Sequence, residues 1–405
     1  MQIVHVATGM ETRMGGPPRV VAGLADALQG MGLAQRIMTT YEPGSASPEL
    51  ATACGVSRFA RRAPRAWYAA RELAQGLASA SADVFHLHEV WSYPQFVAAR
   101  TAKARQAPHV LTPHGELGPN HLRHKGTLHY LKKQLYLRTL GRNVLLGADC
   151  VHVFSSREAA GVRAVGYRGP ITIVPNGVNL REFERLPPPN AADVRWPTLR
   201  NRRVVLFMAR LSPEKGLSEL LPAWRDLTSV RAFSDALLVL AGPCDRGYSD
   251  VVRAMIDRLG IARRVLLTGM VTGEDRLCLL SRADLYTLPS FGEGFSMSLL
   301  EAMACGTPAI YTTGCNFPEA AAAGAGFCVA PRADRLADAL RRGLEMSPRE
   351  RAAAAASARQ LVRREYTWEA VAGKLATVYE AIVAGKPLPL KPHAWSGPLR
   401  DRRAA

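Results

Sequence analysis

Apolar runs of strand length alternate with amphipathic stretches along most of the chain. Gln2–Ala7, Asp83–Leu87, His109–Thr112, Cys150–Phe154 and Ile171–Val174 read as strands. Val20–Met31 and Thr127–Leu140 read as helices among them. The pattern breaks after Asn176, and Leu186-Pro-Pro-Pro-Asn-Ala-Ala-Asp193 has the composition of a linker. The alternation then restarts with strands at Val204–Ala209, Ala236–Ala241, Val265–Gly269, Asp284–Leu288 and Pro308–Thr312. Two helices follow, Arg349–Glu365 and Trp368–Val383. Such alternation predicts βαβ units and parallel sheets. The expected fold is α/β, with two doubly wound Rossmann-like domains facing across a cleft. The expected division is 1–185, a linker over 186–200, 201–366, a last helix over 367–385, and a basic, Pro-containing tail over 386–405.

Length and composition agree with this. At roughly 100–200 residues per domain, 405 residues make two or three domains. With 48% hydrophobic and 21% charged residues the chain can build full cores, which excludes a disordered class. No apolar run approaches the roughly 18 residues of a spanning helix. Met1-Gln-Ile-Val-His-Val-Ala lacks a basic n-region, so no signal peptide is expected. Seven scattered cysteines with no Cys-x-x-Cys pair read as reduced thiols in a cytoplasmic protein. The charge changes the picture more. Lys and Arg number 52 against 34 Asp and Glu, a net +18. That balance suits an anionic partner (nucleic acid, an anionic membrane or a phosphorylated ligand), or else solvated faces on an Arg-rich chain.

Open α/β sheets bind ligands at the carboxyl ends of their strands, so the loops after strands carry the candidate chemistry. In Leu288-Pro-Ser-Phe-Gly-Glu293-Gly-Phe-Ser-Met-Ser-Leu-Leu-Glu301 a Gly-rich loop leads into a helix. The amides of Gly294, Phe295 and Ser296, with the helix dipole, would make an anion site. Glu293 and Glu301 would accept hydrogen bonds from sugar or ribose hydroxyls, or else be ordinary solvated carboxylates. In Arg210-Leu-Ser-Pro-Glu-Lys215-Gly216 two cations follow a strand, where a diphosphate would be neutralised; a helix-start pair with Glu214 is the plainer alternative. Gly15-Gly16 in the first loop allow close approach of a ligand, but match neither a dinucleotide fingerprint nor a P-loop. His114, in Thr112-Pro-His-Gly115-Glu116, stands at a strand end. His86-x-His88 and His121-x-x-His124 are the sole metal-like spacings, and no Cys or acidic cluster joins them, so no metal is expected. There is no Asp-x-Asp to hold a metal-bridged diphosphate.

Together, Gly15-Gly16, Thr112-Pro-His114-Gly115, Ile173-Val-Pro-Asn176-Gly177-Val178, Arg210…Lys215-Gly216 and Glu293…Glu301 resemble retaining GT-B glycosyltransferases. The class is group 1 (family four), and His86-Leu-His88-Glu-Val-Trp91-Ser resembles its bacterial polysaccharide members. The resemblance implies a reaction. A hexosyl-type sugar leaves a nucleoside diphosphate, with UDP or GDP as carrier, and passes to a glycan or lipid-linked acceptor with retained configuration. No cofactor is implied. Glu301 would hold the ribose, and the backbone at Met270 and Val271 would meet the base. Glu293 with Gly294, Phe295 and Ser296 would hold the sugar and its phosphate, and Arg210 and Lys215 would neutralise the leaving group. Gly16 would approach the phosphate from the first, acceptor-side domain, His114 would contact the sugar, and the last helix would cross back to that domain. Pro17-Pro18 depart from the family pattern and leave the shape of the first loop open. Alternatives are a nucleotide-sugar epimerase of the same fold, with Glu116 and Asp149 as candidate acid–base groups, and a basic nucleic-acid-binding protein, for which no recognition motif is present. Two basic stretches, Ser57–Arg71 (Arg58, Arg61, Arg62, Arg65, Arg71 with Phe59, Trp67, Tyr68) and Arg123–Arg142 (Lys125, Lys132, Lys133, Arg138 beside Leu128, Leu131, Leu135), suggest docking on an anionic inner membrane face.

Overall fold

The computed structural model describes residues 1–118, 122, 126–245 and 247–388. Two units are present: residues 1–175 with the chain from Val371 on, and Asn176–Ala370.

The first unit carries β1 (Gln2–Ala7), β2 (Ala34–Tyr41), β3 (Gly55–Ala60), β4 (Val84–His88), β5 (His109–Thr112), β6 (Cys150–Val153) and β7 (Ile171–Ile173). They form one parallel sheet in the order β3-β2-β1-β4-β5-β6-β7. The second unit carries β8 (Arg203–Met208), β9 (Ala236–Ala241), β10 (Val265–Gly269), β11 (Leu285–Leu288), β12 (Ala309–Thr312) and β13 (Gly326–Val329). Its order, β10-β9-β8-β11-β12-β13, repeats the same winding. Each sheet therefore has a switch point, at β1/β4 and at β8/β11, where chain direction across the sheet reverses and a crevice opens at the strand ends.

The central strands are buried on both faces because helices cover both, and most of their residues are apolar. β9, Ala-Leu-Leu-Val-Leu-Ala, is buried throughout. The strands that the apolar pattern does not reveal are β2, β3 and β13. β2 buries Thr39 and Thr40 among its apolar residues, which hides its character. β3 and β13 are edge strands and only partly covered.

Three expectations are corrected here. The chain divides at Pro175/Asn176, ten residues before the expected 185, because Val178 pairs with Thr367 and lies in the second core. The stretch 186–200 is not a bare linker. Pro189–Arg195 is helical, Ala192 and Leu199 are buried, and Asp193 pairs with Arg282 at 2.9 Å. A Pro-rich start suits such a helix, since its first N–H groups need no partner. Ser57–Arg71 is not one continuous basic surface, although Arg58, Arg62, Arg65 and Arg71 are exposed. Its first residues are β3, Trp67 packs on Tyr93 and Phe96, and Arg61 is buried against Glu11. The helix Trp368–Val383 contributes its residues from Val371 on to the first unit, with Tyr379 fully buried there. The tail residues 389–405, with His121, His124, Arg123 and Lys125, lie outside the described residues.

Candidate functional site

In the second unit the loops after β8 and β11 meet at the switch point. Lys215 Nζ donates to Glu293 Oε1 at 2.6 Å, and both side chains are largely enclosed. The Ser290 hydroxyl donates to the same carboxylate. The main chain of Glu293 is tied down as well. Its N–H donates to Gly314 O (2.8 Å), and its carbonyl accepts from Asn316 Nδ2 (2.8 Å). Gly216 explains the close approach of the two loops. At φ +73° it turns the chain beneath Pro289, whose carbonyl oxygen would stand 2.0 Å from any Cβ.

Beyond Glu293 the helix Met297–Cys305 begins. Ser296 caps it, accepting from Leu299 N at 3.3 Å, and Gly306 closes it at φ +79°. The amides of Gly294, Phe295 and Ser296 have no partner among the described residues. Three free amides, a helix N-terminus and an ammonium group suit an anion. Glu301 lies one turn into this helix and is held by Arg276 at 2.7 Å, which also pairs with Glu182 at 2.6 Å. Arg210 is not part of the Lys215 cluster. Its exposed guanidinium reaches Asp245 at 3.2 Å. Met270 and Val271 follow β10, Met270 exposed and Val271 half-buried.

In the first unit Gly15 (φ +84°) caps a helix that starts at Gly16, with Pro17 and Pro18 in its first turn. The prolines thus fit a helix start, where their missing N–H groups cost nothing. Among the described residues, no atom beyond the adjoining chain lies within 4 Å of where a Cβ at Gly15 or Gly16 would sit, so these two positions have open space beside them. Across the switch point Thr8 Oγ1 bonds Ser92 Oγ at 2.8 Å.

His114 follows β5 at φ +52°, an uncommon conformation for a non-glycine residue. Its loop is held by Glu158, which accepts from Gly115 N (2.6 Å) and Phe154 N (2.8 Å) and whose carboxyl burial lifts to about 7. Glu89 (φ +72°) and Glu116 crowd the same strand ends. Burial, then their mutual repulsion, lifts Glu116 to about 8. Asp149, by contrast, accepts from His109 N at the start of β5, so it cannot partner Glu116 as an epimerase pair.

Histidines far apart in the sequence join the His86-x-His88 pair here. Parallel register sets His5 opposite His86, and both His86 and His88 point to one face. His5, His86 and His88 bring their ring nitrogens within 4.8 Å of one another, the one such three-residue cluster among the described residues. They do not form an open ligand set. His5 Nδ1 and His88 Nε2 bond each other at 3.0 Å, and both nitrogens of His86 are taken by Thr112 Oγ1 and Tyr379 OH, each at 2.7 Å. Gln35, Gln95, Glu158, Arg276 and Asn316 are the supporting residues that sequence spacing does not signal.

The comparisons agree with this geometry. Residues 192–361 match the model described as glycosyl transferases group 1, and residues 15–177 match the glycosyl transferase 4-like domain. A D-inositol 3-phosphate glycosyltransferase of Mycobacterium tuberculosis is 31% identical over 258 residues, 61% of this chain and 52% of that protein. The match thus spans about half the length of that curated relative. Among solved structures, Anabaena HepE in complex with UDP superposes with a TM-score of 0.73 at 19% identity, over 95% of this chain and all of that one. WaaG, a glycosyltransferase involved in lipopolysaccharide biosynthesis, gives 0.67 at 18% identity, again over 95% of this chain and all of that one. The two family matches thus fall one on each Rossmann-like unit: the second unit belongs with the group 1 glycosyl transferases and the first with the glycosyl transferase 4-like domain, in the two-unit fold that the neighbours share.

Proposed function

We propose that the protein transfers a hexosyl-type sugar from a nucleoside diphosphate to a glycan or lipid-linked acceptor in bacterial polysaccharide synthesis, with retention of configuration. The observation that carries this reading is the Lys215–Glu293 pair beside the unpartnered amides of Gly294–Ser296. As the sugar–oxygen bond to diphosphate breaks, negative charge grows on the leaving phosphate. Fixed amides and an ammonium stabilise that charge without reorganising. Glu301, already oriented by Arg276, holds the ribose hydroxyls, and the main chain at Met270–Val271 meets the base. Arg210 reaches the diphosphate on exchanging Asp245 for it. Gly16 and His114 keep their implied roles toward phosphate and sugar. HepE was solved with UDP, which supports UDP among the two carriers. A thermal-shift screen with UDP- and GDP-sugars tests binding, since a bound ligand raises the melting temperature. Free nucleoside diphosphate appearing only with acceptor tests transfer. No shift with any nucleotide sugar would overturn the reading.

Transfer is expected without a divalent metal, because the chain has no Asp-x-Asp and presents the Lys215 ammonium and the loop amides toward the diphosphate. Activity should survive extensive EDTA treatment. Complete loss restored only by Mg²⁺ or Mn²⁺ would contradict this.

The acceptor side docks on an anionic membrane through the helix Thr127–Arg138, not through Ser57–Arg71. Leu128, Leu131 and Leu135 are 68%, 57% and 63% exposed and lie three or four residues apart, with Lys132 and Arg138 exposed beside them. An unburied leucine stripe flanked by cations suits a charged interface, each cation contributing about 1 kcal/mol. No helix among the described residues is long and apolar enough to cross a membrane. Phosphatidylglycerol vesicles should sediment the protein far better than phosphatidylcholine vesicles. Changing the three leucines to Ser should abolish most of that difference; equal sedimentation would remove the helix as the dock.

A further inference from the structure

Two hydrogen-bonded relays run through the first unit, and their polarity can be read from fixed ends. In the first, Gln35 Nε2 donates to Leu33 O at 3.2 Å, which leaves Gln35 Oε1 as an acceptor. His5 Nε2 lies 2.9 Å from that oxygen and must carry the proton. A neutral imidazole holds one N–H, so His5 Nδ1 is then an acceptor. His88 Nε2, 3.0 Å away, donates to it, and His88 Nδ1 accepts in turn from His114 Nε2 at 3.1 Å. In the second relay His152 Nε2 must donate to Val174 O at 2.8 Å. His152 Nδ1 therefore accepts from Thr112 Oγ1 (2.8 Å), Thr112 accepts from His86 Nε2 (2.7 Å), and His86 Nδ1 accepts from Tyr379 OH (2.7 Å).

Both relays require neutral rings, and burial supplies them. It draws His5 and His152 down to about 4, His114 to about 3, and His86 and His88 well below the usual value. Every ring nitrogen of the five histidines is then engaged except one, His114 Nδ1. That atom is not sealed off: it is absent from the buried polar atoms that lack a partner, and His114 is half-buried. It sits at the strand ends, on a loop fixed by Glu158.

We infer that Gln35, through His5 and His88, sets the tautomer of His114, so that His114 offers an unprotonated Nδ1 as a hydrogen-bond acceptor to a ligand hydroxyl. Gln35, His5 and His88 are positioning residues. The assignment of a hydroxyl-bearing ligand rests on the proposed function; the tautomer does not. An acceptor-only nitrogen selects a hydroxyl and rejects a carbonyl or a phosphate oxygen, neither of which has a proton to give. It also distinguishes His114 from a cationic phosphate ligand, a role its neutrality excludes.

The test uses the full-length chain labelled with ¹⁵N-histidine, read by long-range ¹H–¹⁵N correlation at neutral pH, with His114 assigned by loss of its signals in His114→Gln. Wild type should show an unprotonated Nδ1 and a protonated Nε2. Gln35→Lys places a donor where an acceptor stood, so the relay should reverse and His114 should appear protonated at Nδ1. Gln35→Met, nearly the same size, removes the anchor and should give a mixture, which keeps the test open if the lysine variant fails to fold. Gln35→Glu retains an acceptor and should restore the wild-type pattern. A protonated Nδ1 in wild type, or an unchanged pure tautomer in folded Gln35→Lys or Gln35→Met, would overturn the inference. With a nucleotide sugar, Gln35→Lys should bind about tenfold more weakly, the loss of one hydrogen bond, and Gln35→Glu about normally. If the tautomer behaves as expected while no nucleotide sugar binds wild type, the relay stands and the proposed function falls.

Discussion

Lys215→Ala should lower transfer by about 10²- to 10³-fold, the loss seen when one preorganised donor to a developing anion is removed. Lys215 and Glu293 come from loops on the two sides of the β8/β11 switch point and meet at 2.6 Å. Without ligand the carboxylate neutralises the ammonium. With a diphosphate present the ammonium is shared, and the anion gains a cation already held in position by Gly216 and Pro289. Removing Lys215 takes away that charge and leaves Glu293 as an uncompensated negative group beside the phosphate. Glu293→Gln separates the two contributions. It frees Lys215, so nucleoside diphosphate should bind as well as before or better, while turnover falls because the sugar loses its carboxylate. Isothermal titration with the nucleoside diphosphate and steady-state turnover measure the two separately, with circular dichroism to verify folding. Unchanged affinity and turnover in folded Lys215→Ala would remove the assignment.

Arg61→Met should cost about 3–5 kcal/mol of folding stability, the penalty for stripping one partner from a buried ion pair. The Arg61 guanidinium is enclosed by Glu11 (3.2 Å), Thr40 Oγ1 (2.9 Å) and the carbonyls of Thr8 (3.4 Å) and Thr40 (3.3 Å). Its plane also stacks on Tyr68, 4.6 Å from the ring centre. Loss of the cation leaves the buried Glu11 carboxylate with only the half-exposed Arg13 at 3.4 Å, and the carbonyls lose their donor. Glu11→Leu in the same chain removes the stranded charge, so the double variant should recover much of the loss. Urea unfolding of the four proteins closes the cycle. A single variant as stable as wild type, or a double variant less stable than either single one, would show that the pair does not organise this end of β2 and β3. The same geometry explains why Arg61 does not serve a membrane surface: its guanidinium is buried, with Nε and Nη2 committed to Glu11, Thr8 and Thr40.

How far the sequence speaks depends on the range of the interaction. Strand and helix alternation is a local property of apolar spacing, and it correctly locates β1, β4, β5, β6 and β7 and the first five strands of the second sheet within a residue or so. β3 and β13 escape it because an edge strand has solvent on one side and needs no continuous apolar run, and β2 because Thr39 and Thr40 interrupt its apolar residues, whereas the edges β7 and β10 keep a readable run. Loops that end in Gly or a cap also carry a local signature. That is why Gly16, Lys215, Glu293, Gly294, Phe295 and Ser296 can be chosen from the chain alone, and why the resemblance to a glycosyltransferase family rests on them. Leu128, Leu131 and Leu135 show the limit. Spacing of three and four identifies one helix face, but whether that face meets the core or water depends on what the rest of the chain places beside it.

The linear chain thus determines by itself the α/β alternation, the two-unit architecture and the loops that carry the chemistry, because backbone propensity, capping and apolar period act within a few residues. Tertiary structure alone decides the partnerships. Lys215 and Glu293 are 78 residues apart, His86 and Tyr379 are 293 apart, and Gln35 reaches His114 only through His5 and His88. Strand order and register put those side chains in contact. Burial then turns five separate histidines into neutral rings whose protons must follow the acceptors at the ends of the line, a constraint that exists only once the sheet has formed.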